Sequence, residues 1–342
     1  MVQYKSNLYL YIQISIKMGV KELNQYLLKH CSKKAIKKTH FTELQRKTIV
    51  VDISIYIYKF MAEDNPMESL YTFLSLFKYY IITPIFIFDG KPPPEKWALL
   101  KKRRWAKKDA EIRFLEIQES LNTQSIEMNE NIKKEMDELK KKMIRIKPED
   151  FQKIKALIDA FGFVHYEAPG EADILCAYLV NSGKAWACLS DDMDMFLYGC
   201  PRVLRNLSLL KRQTILYDTQ QILSELSLSY HQLLEITILS GTDYNNGCLS
   251  LCKTFELHNE YLLMDSSNTI QEPFQNWIIT KANVEPINTV EIARFFDINT
   301  ESNNINILEL LNENINVDIL EKKASIKKIK EIMCEYGFIF VI

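Results

Sequence analysis

Seven carboxylates stand where this chain changes from one element to the next, and their placement points to divalent-metal chemistry. Asp52 closes the apolar run KTIVVD, Asp89 closes TPIFIFD, and Asp192 and Asp194 follow KAWACLS. Glu171 and Asp173 fall in the first turn of a helix introduced by Pro169-Gly170, and Asp243 lies in a turn after another helical stretch. A single aspartate at a strand end is ordinarily a turn former or a helix cap. Three acid-bearing strand ends, joined by Glu171, Asp173 and Asp243, are much harder to assign to caps. Gathered in one place and fully ionised, such carboxylates would repel one another and destabilise the fold. Divalent cations relieve that repulsion, and an all-oxygen donor set favours Mg2+, with Mn2+ as a substitute. Two such ions about 4 Å apart would activate a water and stabilise the leaving oxygen of a phosphodiester.

Convergence requires elements that bring these positions together. Residues 47–58 (KTIVVDISIYIY) read as a buried strand ending near Asp52 and followed by a helix, and residues 83–88 and 184–189 as two further buried strands. Shorter strand-like runs lie at 163–168, 203–204 and 214–217. Helical spacing covers 67–80, 150–161, 171–180 and 230–239. This alternation predicts an α/β fold, a mostly parallel central sheet flanked by helices, and such sheets bind ligands outside the carboxyl ends of their strands. The predicted organisation is an N-terminal extension over 1–17, a core over 18–245 with a helical insertion at about 91–150, and a helical C-terminal region over 246–342.

The 342 residues are 47% hydrophobic and 25% charged, an ordinary globular balance, and no run of about 18 uncharged apolar residues suggests a membrane span. Net charge is only −1, yet the charge is segregated: Lys91, Lys96, Lys101, Lys102, Arg103, Arg104, Lys107, Lys108 and Arg113 crowd the stretch after Asp89 against Glu95, Asp109 and Glu111. Local potential of this kind steers a polyanion better than net charge does. Lys96 and Arg103 are seven apart, two turns along one helix face, a spacing suited to stabilising developing phosphate charge. Seven irregularly spaced cysteines predict reduced thiols and an intracellular protein; the nucleus or a viral replication site is expected only if the source is eukaryotic or viral. Cys248, Cys252 and His258 lack the fourth ligand that a structural zinc needs.

The blocks Met18-Gly19-Val20, VVDIS, FDGKPP, APGEAD, SDDMDMF and SGTDY, in this order and spacing over residues 18–245, resemble the flap endonuclease family, which includes the xeroderma pigmentosum group G-type nucleases. The resemblance implies a metal-dependent 5′ nuclease, of the kind that acts in replication, repair or recombination on branched or gapped DNA with a free 5′ end. It implies that Asp89, Glu171 and Asp173 hold one Mg2+ and Asp192 and Asp194 the second, with Asp173 between them and Asp52 and Asp243 acting through water. The basic insertion corresponds to a helical arch that takes a single-stranded 5′ end. Within it Lys96 and Arg103 match residues that contact the scissile phosphate, beside Lys101, Lys102 and Arg104. Tyr58 matches an aromatic on which an unpaired base stacks, and Gly19 lies near the DNA junction.

The sequence departs from that pattern in places. Asp173 stands where the flap endonuclease branch usually carries Glu, and the residues before Met18 predict either a start at Met18 or a segment that folds away. A glycine-rich, potassium-binding hairpin is expected after Asp243, yet residues 245–253 offer only Gly247 for close backbone approach to phosphate, with Lys253 nearby. Ile292 and Phe295-Phe296 are spaced as in a sliding-clamp motif, but Thr289 replaces its glutamine and no basic tail follows, so core packing and a monomer are expected. The alternatives are a PIN-like ribonuclease, disfavoured by the arch-sized insertion and SGTDY, and a catalytically silent junction-binding scaffold, disfavoured by seven filled acid positions.

Overall fold

In a computed structural model the described residues are 20, 22–123, 128–265, 272–299 and 323–340. The expected N-terminal extension and Gly19 lie outside them. Seven strands form one sheet: β1 (Ile36–His40), β2 (Thr48–Asp52), β3 (Thr83–Phe88), β4 (Val164–Glu167), β5 (Ala187–Leu189), β6 (Arg202–Ser208) and β7 (Gln213–Asp218), in the spatial order β1-β7-β6-β5-β2-β3-β4. The five strands from β6 to β4 pair in parallel, and β7 runs antiparallel to both of its neighbours.

The central strands are apolar on both faces because helices cover both. Val50, Ile85 and Cys188 enter one core cluster, while their neighbours Val51, Phe86 and Leu189 enter the other. This is the period-two alternation of a strand with two buried sides. The first cluster packs beneath α1 (Leu23–His30), and the second beneath α2 (Ile53–Phe60) and α3 (Pro66–Tyr79). β1 is absent from the sequence reading because IKKTH carries no strand pattern. Its Lys37 and Lys38 are exposed, and its place comes from tertiary pairing, Ile36 opposite Tyr217.

The insertion is a helical hairpin rather than a bare charged stretch. α4 (Trp97–Asn122) packs against α5 (Glu130–Lys142) around Ala110, Ile117 and Leu139, with Phe114, Leu121, Ile132 and Met136 at the margins. This small core is separate from the two that sandwich the sheet. Ala110, Ile117 and Leu121 recur at helical spacing, a stripe diluted in the sequence by the surrounding lysines.

The remaining helices are α6 (Pro148–Ala160), α7 (Ala172–Asn181), α8 (Thr219–Leu226), α9 (Tyr230–Ser240), α10 (Leu251–Asp265), α11 (Phe274–Ala282), α12 (Thr289–Ala293) and α13 (Ile326–Cys334). Among the described residues no helix is long and apolar enough to cross a membrane.

From β2 the chain moves outward through β3 to β4, then returns to β5 on the other side of β2. The strand order therefore reverses between β2 and β5, and the crevice outside their carboxyl ends is where such sheets place ligands. Two acid-bearing loops are pressed together beside that crevice. Gly90 N–H donates to Gly170 O at 2.7 Å, and a Cβ at Gly90 would lie 1.9 Å from Ala168 O. Gly90→Ala should therefore force the loops apart and cost about 1–3 kcal/mol. Gly170→Ala, whose Cβ would meet nothing nearer than Lys91 O at 3.9 Å, should melt like wild type. Thermal denaturation of the two variants checks the contrast, and equal melting would show that the loop contact is not as tight as described.

Candidate active site

Asp52 ends β2 and occupies the N-cap position of α2, but its side chain makes no capping bond. Its Oδ2 instead accepts from Ser190 Oγ at 3.1 Å, tying β2 to the loop after β5. Asp89, one residue beyond β3, has its N–H on Ser54 Oγ at 3.3 Å and accepts the N–H of Ala172 on Oδ1 at 3.0 Å. An acid from one strand end thus caps the helix that carries Glu171 and Asp173. Glu171 precedes α7 without capping it. In the loop after β5, Asp192 N–H donates to Ser190 Oγ and Asp192 Oδ1 accepts from Asp194 N–H at 2.9 Å. The adjacent Asp191 plays a different part: its Oδ1 accepts from Asn206 N–H at 2.7 Å, holding the loop to β6.

The electrostatics join all seven acids. Burial pushes the Asp52 carboxyl well above the usual carboxylate range, and Asp89 and Asp192 add to it. Asp173 is raised by burial, then by Asp192 and Asp52. Asp194 is raised by burial, then by Asp192 and Asp243, with Glu171 contributing. Asp192 is also raised by burial, partly offset by the Asp194 N–H and Lys96. Acids scattered over nearly two hundred residues of sequence therefore feel one another's charge.

Lys96 sits inside this cluster. It ends the 3-10 turn Pro94–Lys96 that leads into α4, and its side chain is only 8% exposed. Its Nζ is 2.9 Å from Glu171 Oε1 and 3.9 Å from Asp243 Oδ2. Burial alone would lower its pKa, but Glu171 foremost, then Tyr244, Asp194 and Asp173, raise it, so the ammonium stays charged. Arg103 reaches the same Asp243 Oδ2 at 3.2 Å from a half-exposed position one helix face along. The two basic residues spaced by seven thus meet on one carboxylate.

Among the described residues, three carboxylate oxygens are buried without a hydrogen-bond partner: both of Asp194 and Oδ1 of Asp173. A buried polar atom left unpaired is costly, and more so when charged. These oxygens are hard donors in an all-oxygen environment, the chemistry that Mg2+ or Mn2+ satisfies. Among the described residues, no three His, Cys, Asp or Glu side chains are closed into a ready cage. Lys96 supplies positive charge between Glu171 and Asp243. The residues fit a divalent centre in donor type and number.

The other residues singled out in the sequence fall into two groups. Tyr58 is 46% exposed on α2, with Lys107 Nζ 5.0 Å over its ring, so it is a surface aromatic beside the arch. Lys101, Lys102 and Arg104 are exposed on α4. Lys253 pairs with Glu256 on α10 at 3.3 Å. Gly247 has a reason internal to the chain: a Cβ there would meet Ser240 O at 2.1 Å. It follows a miniature hairpin in which Gly241–Thr242 pairs with Asn245–Asn246 around Asp243 and Tyr244. Phe296 is buried between Tyr198 and Tyr244, and Phe295 stacks on Tyr244, so both aromatics of the clamp-like spacing face inward. Sequence reasoning passed over Ser190 and Tyr244. Each lay inside a quoted motif, but nothing in the letters shows that Ser190 bridges two acids or that Tyr244 OH donates to Glu171 Oε2 at 3.1 Å.

Family models match twice: the XPG N-terminal domain over residues 18–110 and the XPG I-region over residues 162–243. The chain belongs to the flap endonuclease/XPG family. Its members are nucleases that hydrolyse phosphodiester bonds, and all seven acids, Lys96 and Arg103 lie inside the two matched segments. Most of the arch and everything after Asp243 lie outside them. Flap endonuclease 1 of Methanococcus aeolicus is 29% identical over 266 residues, covering 70% of this chain and 78% of that protein. The catalytic core of Rad2 in complex with DNA substrate is similar in fold, with a TM-score of 0.63 at 18% identity over 94% of this chain and 96% of that one. Human GEN1 in complex with Holliday junction DNA gives a TM-score of 0.62 at 20% identity, over 93% and 74%.

The orphaned oxygens of this flap endonuclease/XPG chain make a stability prediction. Asp194→Asn removes one ionisable carboxyl from a buried, crowded cluster. In EDTA the variant should melt above wild type by about 2–4 °C for each kcal/mol of relief. Adding Mg2+ should raise the wild-type midpoint and raise the variant's much less. Melting curves with and without Mg2+ check both signs, and a variant less stable than wild type in EDTA would contradict the crowding.

Proposed function

We propose that this chain is a structure-specific 5′ nuclease that cuts DNA at single-strand/double-strand junctions with two Mg2+ ions. The observation that carries the reading is the set of partnerless buried oxygens of Asp173 and Asp194, in one charge cluster with Lys96 at the root of a basic helical arch. Asp89, Glu171 and Asp173 would hold one ion, Asp192 and Asp194 the second, and Asp52 and Asp243 would position water. Bound there, the ions supply an activated water nucleophile and charge stabilisation at the leaving oxygen.

The chain's own residues do the rest. Lys96 and Arg103 set positive charge on the arch side of the cluster, where a phosphodiester's equatorial oxygens gain charge as the bond breaks. Lys101, Lys102 and Arg104 extend that charge along α4 for the phosphates of a single strand. Tyr58, exposed beside Lys107, offers a ring on which an unpaired base stacks without regard to sequence. The DNA in the Rad2 and GEN1 complexes supports DNA as the partner. Their differing substrates leave open a choice among flaps, bubbles and junctions, which cleavage mapping decides.

Single-turnover cleavage of flap, gap, nick and bubble DNA in Mg2+ tests the proposal. Wild type should release 5′ products from at least one junction substrate, and Asp194→Ala should release none while still binding the same DNA. Arg103→Ala should slow the chemical step about 100-fold or more and change binding far less. Efficient cutting of single-stranded RNA beside intact flapped DNA would reverse the substrate assignment, and full activity in Asp194→Ala would refute the chemistry.

A further inference from the structure

Tyr244 touches the acid cluster without carrying any of its charge. Its hydroxyl donates to Glu171 Oε2 at 3.1 Å, while Lys96 Nζ lies 2.9 Å from Glu171 Oε1 and 4.8 Å from the centre of the Tyr244 ring. Both oxygens of one carboxylate are thus held by two groups that also contact each other. The two differ in what they do to a cation. Lys96 competes with it for Glu171, because both are positive. Tyr244 orients the carboxylate as a neutral donor and leaves its charge available.

The tyrosine is itself held from two sides. Its N–H donates to Thr242 Oγ1 at 3.1 Å, the Thr242 N–H and hydroxyl both donate to Asn245 Oδ1, and Asn245 Nδ2 donates to Ile238 O at 2.8 Å. That network fixes the backbone of the turn. The ring is fixed by Phe295, stacked with centroids 4.6 Å apart and planes 11° from parallel, and by Phe296 edge-on at 5.4 Å. Phe295 and Phe296 arrive in the 3-10 turn Arg294–Phe296 that follows α12, some fifty residues later in the chain and outside both matched family segments.

We propose that Tyr244, backed by Phe295, is a positioning residue that sets the divalent-cation affinity of the Glu171 side of the centre, so that the C-terminal helical segment tunes a site it does not enter. The proposal rests on the metal-centre reading above. Outer groups that orient a ligand by hydrogen bonding typically govern metal affinity by 10–100-fold. Stacking on Phe295, the closer of the two ring contacts, limits tilting of the Tyr244 ring and so helps to keep its hydroxyl aimed at Glu171. The hydrogen bond and the stack therefore act in series.

Calorimetric titration of Mn2+ into the full, EDTA-treated chain, without DNA, tests this independently of cleavage. Tyr244→Phe keeps the ring and removes the hydroxyl. It should bind Mn2+ about 10-fold or more weakly while melting in EDTA close to wild type. Phe295→Leu should weaken binding in the same direction by a smaller factor. The double variant should be no weaker than Tyr244→Phe alone, because the stack has no hydroxyl left to aim; simple loss of packing would instead add to the first change. Wild-type Mn2+ affinity in Tyr244→Phe, or effects that add independently, overturns the proposal while leaving the nuclease reading intact. A wild-type chain that takes up no Mn2+ overturns both.

Discussion

Like charges held together in a buried place must be either neutralised or forced apart, and the architecture around this cluster answers to that constraint. Three parallel strands end in acids at the point where strand order reverses, and the loop after β5 contributes two of them within three residues. The surroundings satisfy most of these carboxylates but not all: Glu171 is held at both oxygens and Asp243 meets two cations. Asp52 accepts one hydroxyl and Asp89 caps a neighbouring helix, but both oxygens of Asp194 are left without a donor. A fold optimised for stability alone would place a serine or an asparagine network there. Retaining bare acids at that depth has a physical rationale when external cations complete the site.

The cationic groups are placed with equal economy. Lys96 and Arg103 both come from the root of the arch and meet on Asp243, so the helix that supplies phosphate-directed charge is tied to the acid it faces. The arch has its own small core, separate from the two cores of the sheet. Pro92-Pro93-Pro94, with φ fixed by their rings, and the short turn before α4 set where Lys96 leaves the sheet for the arch.

Much of the site was legible in the sequence because strand ends announce themselves: a β-branched run that stops at an aspartate fixes both the element and the place of its acid. Less could be read where the answer depends on which side of an element a residue faces. Tyr56 and Tyr58 are two apart in one aromatic-rich helix, yet Tyr56 is fully buried and Tyr58 is half exposed, since two residues turn about 200° around a helix. Asp191 and Asp192 are adjacent, and only pairing with β6 shows that the first braces the loop while the second joins the cluster. β1 was invisible because its pairing with β7 is tertiary, and the Phe295–Tyr244 stack because it joins positions fifty residues apart.

The account stands or falls on whether the partnerless oxygens are cation ligands. Anomalous diffraction from crystals of the full chain grown in Mn2+ addresses that directly. The account predicts two manganese peaks about 4 Å apart, within bonding distance of Asp173 and Asp194, with the Lys96 ammonium displaced from Glu171. Manganese bound elsewhere, with Asp194 bare and the Lys96–Glu171 pair intact, would contradict it.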